Sequence, residues 1–196
     1  MLELQNFLIR EQIAVLRMTD LYDILDPDTG TQVGVAEEVQ GSFAALLRVF
    51  VNKSFLTRTV EVREHPEGAL VFTMRKPATI FQPKVEVYDA QGEKIGYFVS
   101  KLFSIGGGFN VYDNRNRIFA EIQGKWTGWD FTFVTPEGHE MGRVTKKWAG
   151  MLKQLFTSAD NYVVSINDDL ADQPIAKMLL LAAALAIDIV YYDGRE

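Results

Sequence analysis

Ten apolar residues run without a break from Met178 to Ile187, and only then does Asp188 interrupt. A helix of ten residues is about 15 Å long, half the roughly 30 Å of a bilayer's hydrocarbon core. The longer window from Ile175 to Tyr192 contains Lys177 and Asp188. A helix apolar on every face must be enclosed, by lipid or by its own chain. The length favours a core helix, with a membrane anchor as the alternative. Pro174 suits its first turn, and Asp172 is positioned to cap it. Met178, Leu181, Leu185 and Ile187 are the expected core positions. Asp188 must find partners, reach the mouth of whatever encloses the helix, or stay protonated.

The enclosing material is legible upstream. One pattern recurs: an apolar run, an acid or Thr, a turn residue with ready access to positive φ, then a small residue four positions on. Asp26 leads to Gly30 and Gly34, Asp89 to Gly92 and Gly96, Asp113 to Asn116 and Ala120, and Thr135 to Gly138 and Gly142. Gly or Asn supplies positive φ in a hairpin turn, and Gly in the returning strand predicts a bulge or close backbone approach. Segments 60–63 and 70–75 alternate as half-buried strands do. Residues 41–51 fit a short helix. About twelve strands and one all-apolar helix have a joint solution: a mainly β fold, a closed antiparallel barrel with the C-terminal helix inside it. No Pro-, Gly- or Ser-rich linker divides residues 1–196, so one domain is expected.

Charge narrows the function. Acids outnumber bases, 26 to 20, which argues against a general nucleic-acid binder. With no cysteine and two histidines, His65 and His139, thiolate zinc sites, cysteine nucleophiles and imidazole-rich metal sites are excluded. No Gly-x-Ser-x-Gly elbow is present and both histidines fall in expected loops, so no enzyme is expected. The start, with Glu3 and Arg10-Glu11, does not read as a secretory signal.

The charge is also segregated. From Met141 to Ala159 there is no acid, and Arg143, Lys146, Lys147 and Lys153 give +4, whereas the segment from Asp160 to Glu196 carries −5. Clustered Lys and Arg attract anionic lipid, and Trp148 beside them would suit headgroup level. Trp126 and Trp129, flanking Gly128, would do likewise. An ordinary solvated strand face is the competing reading. Gly106-Gly107-Gly108 lacks the Lys-Ser/Thr of a phosphate-binding loop and reads as a hairpin loop. Asp160, Asn161, Asp168, Asp169 and Asp172 supply oxygens of the kind calcium takes, without the Gly and Glu of an EF-hand. Helix capping explains the same acids.

Three segments resemble phospholipid scramblases: 142–150 (GRVTKKWAG), with its basic residues and Trp; 157–162 (TSADNY); and 187–193 (IDIVYYD), ending the apolar helix. The resemblance implies the tubby-like fold shared with LURP-one-related proteins, a closed barrel around a hydrophobic helix. It implies a membrane-associated module that meets anionic phospholipid, peripheral at the inner face of the plasma membrane or cytoplasmic, with lipid movement implied by the family name alone. Arg143, Lys146, Lys147 and Trp148 are then the phospholipid candidates. Asp160 and Asp169 match acidic positions of the family's proposed calcium segment, although Ser158 stands where that segment begins with an acid. No other cofactor is expected. The lipidated cysteines of the animal members have no counterpart in this sequence. The alternative is a non-enzymatic scaffold or ligand-binding barrel with a protein partner and no lipid role.

Overall fold

The computed structural model describes residues 1–12, 21–39, 57–64, 68–78, 84–100, 108–125, 129–146 and 161–191. Among them, twelve strands precede one long helix: β1 (Asn6–Glu11), β2 (Leu21–Leu25), β3 (Gln32–Glu38), β4 (Arg58–Arg63), β5 (Leu70–Lys76), β6 (Lys84–Asp89), β7 (Lys94–Ser100), β8 (Phe109–Asp113), β9 (Ile118–Lys125), β10 (Asp130–Val134), β11 (Glu140–Thr145), β12 (Asn161–Ile166) and α1 (Pro174–Tyr191). Each strand pairs antiparallel with its sequence neighbours, and β1 pairs with β12, Asn6 opposite Ser165. The sheet is a closed barrel, so it has no free edge.

The four expected hairpins are present, and hydrogen bonding explains their residues. In three of them the N–H of Asp89, Asp113 or Thr135 donates to the carbonyl four residues on, and Gly92, Asn116 or Gly138 donates back. Those three residues have φ of 81°, 60° and 88°. The acid is there because its carboxylate accepts turn N–H groups: Asp89 from Gln91 and Glu93, Asp113 from Arg115 and Arg117, all within 3.0 Å. Thr135 Oγ1 accepts more weakly from His139, at 3.3 Å. Pairing register shifts in each hairpin, between Ile24 and Leu25, Val87 and Tyr88, Val111 and Tyr112, and Phe133 and Val134. A Cβ on Gly96 would run into the carbonyl oxygen of Tyr112 and lie 2.8 Å from the Leu179 side chain. Here the wall must come close to the helix.

Inside faces alternate with outside ones. In β4, Arg58, Val60 and Val62 are buried, while Thr59, Glu61 and Arg63 are half-buried. The outer face carries Glu61, Arg63, Arg75, Glu86 and Arg143, the reverse of a membrane-spanning barrel's apolar exterior. At its centre Glu86 accepts from Lys94 at 2.9 Å, from Tyr88 at 2.9 Å, and is 3.0 Å from Lys84. Both lysines lie over the ring of Tyr97, which stacks on Tyr112. Lys94, reinforced by Lys84 and Tyr88 against the opposing effect of burial, holds the Glu86 carboxyl at about 2.

The helix is enclosed. Every residue from Ala176 to Ile187 is buried, and α1 touches β12 on one wall and β5, β6 and β7 on the opposite one. No helix among the described residues is long and apolar enough to cross a membrane. Met178, Leu181, Leu185 and Ile187 lie in the core as expected. The expected cap is displaced: the first helical carbonyl is that of Gln173, which accepts from Lys177 at 3.0 Å. Asp172 therefore stands one position too early. The expected helix over residues 41–51 lies outside the described residues, as does the side chain of Asp188.

Candidate functional site

The up-and-down winding sorts the molecule into two ends. The four hairpin turns and the start of α1 lie at one. At the other lie the termini of β3, β5, β9 and β11 and the beginnings of β4, β10 and β12. The basic segment leaves β11 at this second end.

There, Lys146 N–H donates to the carbonyl of Trp129 at 3.2 Å. Its ammonium stands 4.4 Å from the centroid of the Trp129 ring, a cation–π geometry. Trp129 has φ of 45°, in the left-handed region a non-glycine residue seldom occupies. It is buried, with its indole 5.1 Å from Tyr162 and edge-on to Phe131. The expectation that Trp129 would sit at headgroup level is thus overturned. Burying the indole's large apolar surface against two aromatic neighbours outweighs exposing it. Arg143 is half exposed and 2.9 Å from Asp130, so part of its charge is already matched. Lys147, Trp148 and Trp126 lie outside the described residues.

On the opposite wall of the same end lies a cluster that the sequence reading missed. Arg58 grips Glu38 with two hydrogen bonds, Nε to Oε1 at 3.2 Å and Nη2 to Oε2 at 3.0 Å. Lys76 is the register partner of Arg58 on the neighbouring strand. All three are buried, at 5%, 5% and 6% exposure. Burial, with the adjacent Arg58 cation, pushes the Lys76 ammonium below the usual lysine range, against the pull of Glu38. A signal was available: Glu38, Arg58 and Lys76 are in phase with the inward apolar positions Ala36, Val60 and Met74.

Of the two acidic candidates, Asp169 alone is among the described residues. Asp169 is exposed in a short 3-10 turn, Asp168–Leu170, beyond the far end of β12. Asp160 lies outside the described residues. No three His, Asp or Glu residues among those described could hold a metal together. His139 lies exposed in its hairpin turn. An open groove of about 360 Å³ at the hairpin end is lined by Phe119, Met141 and Leu170 beside Arg117 and Glu137. It shares no residue with either cluster.

A family model described as Scramblase matches residues 39–194. The chain is 24% identical over 117 residues to phospholipid scramblase 2 of Homo sapiens, covering 56% of this chain and 39% of that protein. The bovine phospholipid scramblase 2 is 23% identical over the same length, with the same coverage. The match therefore spans well under half of these curated relatives. No solved structure gives a significant match.

Proposed function

The chain belongs to the scramblase family, and from that premise we propose that it is a non-enzymatic barrel that associates with anionic phospholipid surfaces through the end where β11 terminates. The observation that carries this reading is Lys146, braced over the buried Trp129 within an acid-free, basic segment. Lys147 and Trp148 follow it directly in sequence. Each basic residue near an anionic leaflet contributes about 1 kcal/mol, so three or four give weak, salt-sensitive, reversible binding. That is the behaviour of a peripheral protein at a cytoplasmic leaflet. Arg143, being paired with Asp130, contributes less.

Binding rather than lipid translocation is the activity proposed, because α1 occupies the barrel interior. The test is co-sedimentation with vesicles of equal parts phosphatidylserine and phosphatidylcholine, against pure phosphatidylcholine. The expected result is binding to the first alone, weakened at least about tenfold in Lys146→Glu/Lys147→Glu. No binding at low salt overturns the reading and favours a scaffold without a lipid role.

A further inference from the structure

The outer face of β5 to β8 carries more cations than anions. Its outward charged residues are Arg75, Lys84 and Lys94 against Glu86. Asp89 and Asp113 stand in register with the inward Phe72 and Gly96, and their carboxylates serve the turns. Register sets the outward side chains in a row across the four strands: Arg75 opposite Glu86, Glu86 opposite Tyr97, and Tyr97 opposite Tyr112. At about 4.8 Å per strand the row is roughly 14 Å long. Few of its donors are used. Lys84 and Lys94 both reach the same oxygen, Oε1 of Glu86, at 3.0 and 2.9 Å, which leaves each ammonium two of its three donors. Tyr88 takes Oε2. Arg75 is exposed, lies over the Tyr88 ring at 5.6 Å from its centroid, and has no carboxylate partner among the described residues. The row is also held in place. Tyr97 stacks on Tyr112 with 4.8 Å between centroids and 7° between planes, and both ammoniums stand over the Tyr97 ring. Side chains fixed beforehand lose little entropy on binding, and tyrosine with arginine is the composition of interface centres.

We propose that this row is the docking surface for an acidic, extended segment of a partner protein. Its carboxylates take Arg75 and the spare donors of Lys84 and Lys94, and its chain lies on the Tyr97–Tyr112 pair. Charge complementarity selects the acid. Shape selects a peptide over a lipid surface. The rings lie against one another and under the lysines instead of projecting, so they do not enter a leaflet. The row also crosses the side wall opposite β12, so a membrane against the barrel end that carries Lys146 leaves it open. An extended segment of about five residues spans it. This docking does not depend on the membrane reading above.

The test is fluorescence anisotropy with the full chain at an ionic strength of about 0.1 M, where charges more than about 10 Å away are largely screened. The probe is a fluorescein-labelled peptide of alternating Glu and Val, compared with the same peptide carrying Gln for Glu. Wild type is expected to bind the Glu peptide and not the Gln peptide. Arg75→Glu should weaken binding at least about tenfold. Arg115→Glu makes the same charge change on an exposed hairpin turn and should weaken it less than about twofold. Tyr97→Ala changes no charge and should still cost about fivefold, which attraction by bulk charge does not produce. No binding of the Glu peptide, equal binding of the Gln peptide, equal losses in Arg75→Glu and Arg115→Glu, or full affinity in Tyr97→Ala overturns the proposal. If Tyr97→Ala does not fold, the comparison of Arg75→Glu with Arg115→Glu decides. A second arm uses vesicles of equal parts phosphatidylserine and phosphatidylcholine. Arg75→Glu should bind them as wild type does, and weaker vesicle binding assigns the face to lipid and overturns the peptide reading. Lys146→Glu/Lys147→Glu should lose the vesicles and keep the peptide, and loss of the peptide as well places it at the basic end and overturns the proposal. Peptide binding by a wild type that ignores vesicles leaves this surface standing while the membrane reading fails.

Discussion

The ammonium of Lys177 donates to the carbonyl of Leu2 at 2.7 Å, across 175 positions of sequence, and reaches Leu4 at 3.3 Å. Lys177 is 1% exposed. The charge that interrupts the apolar helix in sequence thus ties its first turns to the segment that precedes β1. Lys177→Met keeps the side-chain length but removes the donor, leaving carbonyls short of a partner. The expected loss is about 1–3 kcal/mol of stability, read as a lower denaturant midpoint with an unchanged slope. A gain in stability would show that these bonds do not compensate for burying the charge.

Gly96 tests how closely the wall meets the helix. An added methyl would meet the Tyr112 carbonyl and the Leu179 side chain. Gly96→Ala should cost about 1–3 kcal/mol through overpacking. Gly92→Ala, whose Cβ would meet open space at φ of 81°, should lose only about 1 kcal/mol of backbone strain. Coupling between Gly96→Ala and Leu179→Ala, measured by a double-mutant cycle, should recover part of the loss.

Glu86 sets a pH dependence. Its carboxyl is held at about 2 in the folded chain, against an ordinary value near 4.5. The unfolded chain therefore binds more protons between these values, so stability falls as pH falls through that window. The contribution is full above about pH 5 and gone near pH 2. Glu86→Gln should be less stable at neutral pH, and its difference from wild type should shrink as the pH drops from 5 to about 2. Chemical denaturation at several pH values measures it, and a constant difference would reject the assignment.

The two described basic candidates should differ. Arg143 already faces Asp130, while Lys146 is held over Trp129 by cation–π attraction. Arg143→Ala should therefore weaken binding to anionic vesicles less than Lys146→Ala does. Both losses should diminish as salt is raised through physiological ionic strength, where the screening length is about 8 Å. Equal losses would mean that the Asp130 pair opens at the surface.

Local devices were the legible part of this fold. The Asp or Thr at each hairpin, the positive-φ residue after it and the small residue beyond act within a few positions, so they show in sequence. The all-apolar stretch of α1 is equally plain, because only an enclosing wall accommodates it. Long-range relationships were less so. Glu38 and Arg58 meet because β3 and β4 pair in one register, and no local spacing signals that. Trp129 turns inward through one unusual φ, so its position in a basic neighbourhood suggested an exposure it does not have.

Chain order has a consequence for assembly. The last strand closes against the first, and the helix that fills the interior follows all twelve strands. Emerging from a ribosome, the strands lack their closing partner until β12 has left the exit tunnel and their filling until α1 has followed it. Hairpins of local pairing accumulate early, while their apolar inner faces wait uncovered. Folding of this chain is therefore slow by topology, and the wait exposes it to capture by chaperones and to aggregation. The feature that makes the finished barrel edgeless makes its unfinished form all edge.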